Sequence, residues 1–207
     1  MAFLRAVTVP EPQTVIPGRT VYLRSPTMND YPAWSALRAE SRAFLTPWEP
    51  IWSPDDLTRG SFKRRVRRYM KDSREDLGYA FLLFRAADHV LLGGLSLAYV
   101  RRGVAQTCSL GYWMGEAFAG QGYMTEGVRT VLPFAFANLR LHRVEAACLP
   151  NNAASIRLLE KAGFRREGYA RRYLCINGAW RDHLLFARLA EDAESSAERP
   201  DLSSGAV

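Results

Sequence analysis

Residues 111–127 read GYWMGEAFAGQGYMTEG and residues 141–164 read LHRVEAACLPNNAASIRLLEKAGF, and these two stretches predict two neighbouring strand-to-helix junctions. In the first, a strand-like run ends in a turn that contains Gly120 and Gly122, and a helix follows. In the second, a strand leads into a helix that an asparagine caps. Because glycine has no side chain and the first N–H groups of a helix lack intrahelical partners, the first junction suits a phosphate group. This arrangement suits a pyrophosphate-bearing cofactor, although a Gly-x-Gly turn by itself more often only lets the chain adopt positive φ.

From about residue 19 to residue 189 the chain resembles the GNAT superfamily of acetyltransferases and, within it, the ribosomal-protein-alanine N-acetyltransferases of the RimJ/RimL type. The resemblance rests on AGQGYM at 119–124, NAAS at 152–155 and LEKAGF at 159–164. The superfamily turn begins with Gln or Arg where this chain has Ala119, and it ends with Gly or Ala where this chain has Met124. Because such a turn binds mostly through backbone N–H groups, these departures lower the motif's specificity more than they change its chemistry.

This resemblance implies a fold and an activity. The fold is α/β, namely the GNAT fold, a single domain with a mixed central sheet of about six to seven strands flanked by helices. The activity is that of an N-acetyltransferase that uses acetyl-CoA as the acetyl donor and needs no metal. We expect residues 1–18 to be a flexible tail, residues 19–189 to form the domain, and residues 190–207 to be a disordered tail.

The cofactor-binding residues are assigned from the same resemblance. In GNAT enzymes the glycine turn holds the pyrophosphate of acetyl-CoA, the strand before it pairs with the pantetheine arm, and the second junction contacts that arm and the thioester. The residues so assigned are Trp113, Met114, Gly115, Gly120, Gln121, Gly122, Tyr123, Met124, Thr125, Asn152 and Ser155. An asparagine at the start of a helix also caps it. We assign Asn151 to capping alone, whereas Asn152 is expected to combine capping with cofactor contact.

The implied reaction is aminolysis of a thioester, and it requires an oxyanion site, a donor for the leaving thiolate and a proton acceptor. Backbone N–H groups of residues 113–115 are candidates for the oxyanion site. Ser155 is the candidate donor, although a serine here can also bond only to backbone. Glu116 and Glu145 are the candidate proton acceptors, and each could instead pair with an arginine. No histidine or tyrosine of the motif stands out as a dedicated base.

Two further segments, residues 44–50 and 169–182, resemble the regions that flank the acceptor groove in GNAT enzymes. Trp48 and Tyr173 are predicted to form apolar walls, and Glu49 and Asp182 to attract a cationic N-terminus. Ordinary alternatives are core aromatics, a proline-bounded turn and a strand-end ion pair. An α-amine is the favoured acceptor, because its pKa of about 7.7–8.0 leaves more of it neutral at pH 7 than lysine with about 10.4.

Composition agrees with one compact domain. The chain has 207 residues, 48% of them hydrophobic, but no apolar run of the roughly 18 residues that a membrane span requires. Its first residues do not match a secretory signal, so we expect a cytoplasmic protein without membrane association. The cysteines and histidines are widely spaced, which predicts neither a disulfide framework nor a metal site. These residues are Cys108, Cys148, Cys175, His89, His142 and His183.

The chain is basic, with a formal net charge of +7, which favours polyanionic partners. The densest basic run is KRRVRRYMK at 63–71, expected on a helix that starts near residues 53–56 and buries Phe62, Val66, Tyr69 and Met70. We interpret the basic residues as a solvated helix face, with a ribosome or RNA contact as the alternative.

Three functions therefore remain open. The first is acetyl transfer to the α-amine of a protein N-terminus, as in a ribosomal protein that begins with Ala or Ser. The second is acetylation of a small amine such as an aminoglycoside or polyamine. The third is a non-catalytic ribosome- or RNA-binding module with a relic CoA pocket. The sequence is compatible with a monomer or a homodimer.

Overall fold

A computed structural model describes residues 14–194, which form one α/β unit around a single sheet. The eight strands are β1 (Val15–Pro17), β2 (Val21–Arg24), β3 (Gly78–Arg85), β4 (Leu91–Arg101), β5 (Thr107–Met114), β6 (Arg143–Cys148), β7 (Arg165–Ile176) and β8 (Ala179–Leu189). The helices are α1 (Tyr31–Glu40), α2 (Arg42–Leu45), α3 (Arg59–Arg74), α4 (Tyr123–Pro133), α5 (Ala153–Lys161) and α6 (Glu191–Glu194).

The sheet is mixed, with the strand order β1-β2-β3-β4-β5-β6-β8-β7. Every neighbouring pair is antiparallel except β5 and β6, which run parallel. A parallel pair needs a crossover connection, and α4 supplies it between β5 and β6. The predicted mixed central sheet is therefore confirmed, with eight strands where about six to seven were expected.

Helices cover both faces of the sheet. On one, the α4–α5 face, residues such as Val128 and Leu159 pack against Leu110, Val144 and Phe186 of the strands. On the other, the α1–α3 face, a second cluster forms where the first and third helices pack on β3, β4 and the Trp113 ring. That cluster contains Trp34, Leu37, Phe62, Val66, Leu82, Phe84 and Leu91. Side chains alternate between the two faces along a strand, so residues two positions apart in the same strand face the same side of the sheet.

The strands β5 and β6 separate after a short paired region. Their pairing covers Thr107 to Ser109 on β5 and ends where Ser109 meets Glu145. Both strands continue beyond that point, β5 to Met114 and β6 to Cys148, while each remains paired with its outer neighbour, β4 or β8. A wedge-shaped gap thus opens in the middle of the sheet, with a free backbone edge on each side.

Two element boundaries differ from the sequence expectation. Residues 15–17 were expected in the N-terminal tail but pair with β2 as an edge strand, and Glu191–Glu194 form a short helix within the expected C-terminal tail. Residues 1–13 and 195–207 of the predicted tails lie outside the described part of the chain. The basic helix α3 begins at Arg59, after Thr58, whose hydroxyl accepts a hydrogen bond from the Ser61 N–H at 3.2 Å.

The outer face of α3 carries its basic residues, as predicted. Phe62 and Val66 are buried, but Met70, expected on the apolar stripe, is exposed. Asp55 and Asp56, expected in the first turn, precede the helix and form ion pairs with Arg64 and Arg65. These pairs neutralise part of the basic run. They thereby reduce the repulsion between neighbouring positive charges on this helix face.

The helix α4 loses its regular form at Pro133. Proline has no N–H and cannot make the i→i−4 hydrogen bond of an α-helix. The next residues, Phe134–Asn138, form a π-helical turn in which Leu139 N–H donates to the Phe134 carbonyl at 3.0 Å.

Within residues 14–194 no helix is both long and apolar enough to cross a bilayer. The same residues contain no group of three or more His, Cys, Asp or Glu side chains that could hold a metal ion.

Candidate functional site

A cavity of about 540 Å³ lies at the gap between β5 and β6, and two groups of elements line it. We call the first group the junction side; it consists of the glycine turn, the first residues of α4 and α5, and the edge of β5. We call the second group the hairpin side; it consists of the segment after α2 and the β7–β8 hairpin. Residues from both sides line this one cavity, so the gap joins the two groups.

The glycine turn of the junction side has the backbone that a bound anion requires. Gly120 and Gly122 have φ of +75° and +85°, which other L-residues rarely adopt, and a Cβ at either position would meet no atom within 4 Å. Gly122 is the N-cap of α4 and offers no side-chain hydrogen bond to it. The first intrahelical bond runs from Glu126 N–H to the Gly122 carbonyl at 3.0 Å. The amides of residues 123–125 therefore open onto the cavity.

Positive charge adds to this site. Arg157 and Lys161, one turn apart on α5, also line the cavity. With the amino-terminal end of the α4 dipole they make the junction side attractive to a phosphorylated ligand.

The second junction places Asn152 and Ser155 in the cavity wall. Asn152 is the N-cap of α5, and its side-chain oxygen accepts a hydrogen bond from the Ser155 N–H at 3.0 Å. The assignment of capping to Asn151 is therefore wrong, because the chain enters the helix one residue later. Since the cap uses only the side-chain oxygen, the Asn152 NH₂ group remains available as a donor.

Tyr112 lies beside Ser155 in the wall of the cavity. Burial raises the pKa of Tyr112 to about 12, while a side-chain hydrogen bond with Ser155 acts in the opposite direction. Burial likewise raises the pKa of the neighbouring Cys148 thiol to about 11. Both groups are protonated at neutral pH, so this wall presents O–H and S–H donors instead of anions.

The free edge of β5 supplies backbone donors. The Gly115 N–H is used, since it donates to the Leu92 carbonyl at 2.8 Å. Hydrogen-bonded residues alternate along an antiparallel strand, so Trp113 also directs its N–H to β4, whereas Met114 and Tyr112 direct theirs into the gap. Of the predicted oxyanion donors at 113–115, only the Met114 N–H thus points toward the cavity.

On the hairpin side, Glu49 is held by a buried arginine. Its two carboxylate oxygens accept from the Arg38 guanidinium at 2.8 and 2.6 Å, and the Trp52 indole N–H donates to it at 2.7 Å. The guanidinium stacks between the rings of Trp52 and Trp113, 4.2 and 4.9 Å from their centroids. Such a bidentate, stacked pair fixes the carboxylate rigidly at the cavity wall.

The β7–β8 hairpin closes the same side. The Asn177 N–H in its turn donates to the Glu49 backbone carbonyl at 2.8 Å, which ties the hairpin to the segment after α2. Leu174, Ile176 and His183 of the hairpin line the cavity. His183 is only 2% exposed, and its Nδ1 lies 2.9 Å from the Arg181 carbonyl oxygen.

The structure brings most of the predicted site residues to this cavity. Those that line it are Trp48, Glu49, Trp113, Met114, Gly120, Gly122, Tyr123, Met124, Thr125, Asn152 and Ser155. Gly115 and Gln121 each neighbour a lining residue in the sequence but do not line the cavity themselves. The Gln121 side chain donates to the Ala117 carbonyl.

The remaining four lie elsewhere. Glu116 is exposed on the turn after β5. Glu145 lies where β5 and β6 are still paired and forms ion pairs with Arg143 and Arg101, the alternative noted from the sequence. Asp182 accepts hydrogen bonds from the Tyr169 hydroxyl and the Arg172 N–H on the exposed edge of the hairpin. Tyr173 is half exposed and packs its ring edge to face with His183.

Sequence reasoning missed several polar residues of the cavity, among them Tyr112, His183 and the cations Arg157 and Lys161. Tyr112 lies in the strand before the glycine turn, where alternation with the core residues Leu110 and Met114 could have placed it on the α4–α5 face. For His183 no local signal exists, since its place in the cavity depends on the pairing of β8 with β6.

Comparison with known proteins supplies relatives for this architecture. A family model described as Acetyltransferase (GNAT) domain matches residues 20–165. The probable N-acetyltransferase YjcK of Bacillus subtilis (strain 168) is 39% identical over 180 residues, which cover 87% of this chain and 99% of the relative. The ribosomal protein uS5-alanine N-acetyltransferase of Escherichia coli (strain K12) is 32% identical over 167 residues, 80% of this chain and 86% of the relative.

A solved structure agrees with these relatives. Mycobacterium smegmatis RimJ in complex with CoA-disulfide superposes with a TM-score of 0.80 at 34% identity, covering 88% of this chain and 87% of that protein.

Proposed function

We propose that this chain, which belongs to the GNAT acetyltransferase family, transfers the acetyl group of acetyl-CoA to the α-amino group of a protein N-terminus. The acceptor we propose is a ribosomal protein that begins with Ala or Ser. The observation that carries the proposal is the cavity in the β5–β6 gap, which connects a phosphate-binding turn with a carboxylate on the hairpin side. The name of the Escherichia coli relative, an alanine N-acetyltransferase of ribosomal protein uS5, supports the acceptor class.

The residues of the junction side fit acetyl-CoA. The amides of residues 123–125 would bind the pyrophosphate, helped by the charges of Arg157 and Lys161. The unpaired edge of β5 would bond the amide groups of the pantetheine arm as a neighbouring strand would. The free NH₂ group of Asn152 would add a further hydrogen bond to that arm.

The acetyl group then lies where the two sides of the cavity meet. As the amine attacks the thioester carbonyl, negative charge develops on its oxygen, and the Met114 N–H would stabilise that charge in a partly dry site. The thiolate of CoA leaves toward the junction side. There the hydroxyl groups of Ser155 and Tyr112 would donate hydrogen bonds to the sulfur, since the raised pKa of Tyr112 keeps it protonated.

The hairpin side would select the acceptor. Glu49 presents a rigid carboxylate whose charge is shared with Arg38, so it attracts an ammonium group without trapping it in a tight ion pair. Trp48 and Leu174 offer apolar surface next to that carboxylate. An α-amine is neutral in about a tenth or more of molecules at pH 7, because its pKa is about 7.7–8.0. Such an acceptor requires only modest activation.

The test is release of free thiol from acetyl-CoA in the presence of defined acceptors. The panel contains peptides with N-terminal Ala, Ser or Met, the same Ala peptide with a blocked N-terminus and an internal lysine, spermidine, and an aminoglycoside. We expect turnover with the free Ala and Ser peptides and none with the blocked peptide. Acetylation of spermidine or the aminoglycoside without any peptide would overturn the proposed acceptor. No turnover with any amine would favour a binding module instead.

Mass spectrometry of ribosomal-protein N-termini identifies the natural acceptor. Cells with and without this chain are compared, and we expect one or a few ribosomal N-termini that begin with Ala or Ser to lose their acetyl group. Identical acetylation in both samples would contradict a ribosomal acceptor.

A further inference from the structure

His183 is a buried titratable residue that has no role in the steps proposed for acetyl transfer. It is 2% exposed to solvent, yet it belongs to the cavity lining. A buried polar side chain is normally fully hydrogen-bonded. Among residues 14–194 the ring makes one hydrogen bond, through Nδ1, and one aromatic contact, with Tyr173 at a centroid distance of 5.8 Å and an interplanar angle of 75°.

The hydrogen bond at Nδ1 fixes the tautomer of the ring. Its partner is the Arg181 carbonyl oxygen at 2.9 Å, and a carbonyl oxygen can only accept. Nδ1 therefore carries the proton, and in the neutral ring Nε2 carries a free lone pair. The edge-to-face contact with Tyr173 restrains the ring orientation. The result is an oriented imidazole whose basic nitrogen has no hydrogen-bond partner among residues 14–194.

The position of His183 on β8 places it on the acceptor's side of the sheet. Its neighbour Leu184 packs into the core of the α4–α5 face, as does Tyr112 of β5. Strand alternation then directs His183 to the opposite, α1–α3 face, to which Trp113 also belongs. Ser155 and Tyr112, the thiolate donors, thus lie on one side of the gap, and His183 lies on the other.

The other ionisable groups near His183 are poorly suited to accept a proton. On the segment after α2, Glu49 is occupied by Arg38 and Trp52. Burial raises the pKa of Tyr112 on β5 to about 12 and of Cys148 on β6 to about 11, so both keep their protons. The remaining groups are Tyr173 on β7, the Asp182 carboxylate held by Tyr169, and the cations Arg157 and Lys161 of α5.

We propose that His183 is the general base of the acetyl transfer, a role that rests on the proposed function. As the amine nitrogen forms its bond to the acetyl carbon, one N–H proton moves to Nε2 of His183. Collapse of the intermediate breaks the C–S bond, and the bonding pair leaves on the CoA sulfur as a thiolate. The imidazolium then releases its proton to water, so the balanced products are the acetylated amine, the CoA thiolate and a proton. Imidazole suits this task because Nε2 offers a basic lone pair on a ring that lines the cavity.

The kinetic test uses His183→Asn, whose amide NH₂ group can still donate to the Arg181 carbonyl but which has no basic nitrogen. We expect kcat to fall about 100-fold, the usual contribution of a general base. The KM for acetyl-CoA should stay unchanged. Because a protonated imidazole cannot accept a proton, wild-type kcat should fall at acidic pH, and this acidic limb should vanish in the variant. The control is His89→Asn, an exposed histidine at φ +59° outside the cavity.

The kinetic assay uses whichever amine the wild-type enzyme acetylates, spermidine included, so a wrong acceptor class does not affect the result. A His183→Asn enzyme that keeps kcat within about threefold and retains the acidic limb would overturn the proposal. Thermal melting of each variant separates a loss of folding from a loss of catalysis.

A second measurement needs no turnover. Long-range ¹⁵N–¹H correlation spectra of the imidazole rings, assigned by comparison with His183→Asn, report the tautomer of His183. We expect the neutral ring to carry its proton on Nδ1. A ring that carries it on Nε2 would refute the role of general base.

Discussion

The junction side of the cavity presents mainly backbone groups, whereas the hairpin side presents mainly side chains. Amides of residues 123–125 and the free edge of β5 make the first a surface for a ligand of fixed shape. Glu49, Arg38 and His183 make the second a surface that single substitutions can reshape. Backbone groups are nearly the same for every residue type, whereas side chains change with the sequence. One half can therefore keep a common acetyl donor while the other adapts to different acceptors.

Among the changes considered, substitution of Gly122 should show the largest difference between the junction side and the hairpin side, seen as an effect on acetyl-CoA without one on the peptide. In Gly122→Val the residue is strained at φ +85°, and the N–H groups at the start of α4 lose their alignment. Loss of one or two charge-assisted hydrogen bonds to phosphate should raise the KM for acetyl-CoA on the order of 100-fold. The KM for the peptide should be unchanged in steady-state assays. Gly103→Val is the matched control, since it has φ +66°, equally open space and a position outside the cavity. Equal KM effects in both variants would contradict the anion site.

The hairpin side is tested by Glu49→Gln, which should leave acetyl-CoA binding intact and raise the peptide KM about tenfold through lost attraction of the ammonium group. The variant should also lose about 2 kcal/mol of unfolding free energy, because Arg38 keeps a buried charge without its partner. Kinetics and chemical denaturation measure the two effects. Asp55→Asn removes the partner of the exposed Arg64 and should leave both unchanged. A peptide KM equal to that of the wild type would reduce Glu49 to a structural role.

A smaller effect, on kcat, is expected for Tyr112, which lies where the junction side and the hairpin side meet. Tyr112→Phe should lower kcat about fivefold, which corresponds to the loss of one hydrogen bond of about 1 kcal/mol to the leaving sulfur. Because the pKa of Tyr112 is raised to about 12, its proton is present at every usable assay pH and is lost only above that value. The ratio of wild-type to variant kcat should therefore stay constant from about pH 6 to pH 10. A ratio that falls steadily over this range would show that Tyr112 titrates there. Ser155→Ala and the double variant should give non-additive losses.

The smallest effect concerns Asn152. Asn152→Ala should cost about 1 kcal/mol of unfolding free energy through loss of the cap, and Asn152→Ser should restore most of it. If the NH₂ group also contacts the donor, both variants should raise the KM for acetyl-CoA about threefold, because neither has that group. If Asn152→Ser restored both the stability and the KM for acetyl-CoA, Asn152 would serve only as a helix cap.

Local signals account for what the sequence could predict. The turn at Gly120 and Gly122, the start of α5 and the disturbance at Pro133 each depend on the preferences of a few adjacent residues. For the same reason most of the junction side was predictable, including the cap at Asn152, whereas the capping role assigned to Asn151 was wrong.

The hairpin side could not be read in this way. His183 reaches the cavity through the pairing of β8 with β6, and Glu49 meets Arg38 across 11 positions of the chain. The sequence suggested Glu145 as a base because it precedes the second junction, yet the end of β5–β6 pairing leaves it outside the gap. β1 was also missed, since three residues with one proline carry too little periodicity to indicate a strand.

The short contact between β5 and β6 also has a mechanical consequence. Three residue pairs join a group of five strands to a group of three, and apart from the edge pair β1 and β2 every other pair of neighbouring strands is joined by more residue pairs. If the pantetheine arm fills the gap as proposed, it bridges the two groups of strands, and its binding increases the free energy of unfolding by mass action. The supply of acetyl-CoA in the cell would then govern how long the folded chain survives, as well as how fast it works.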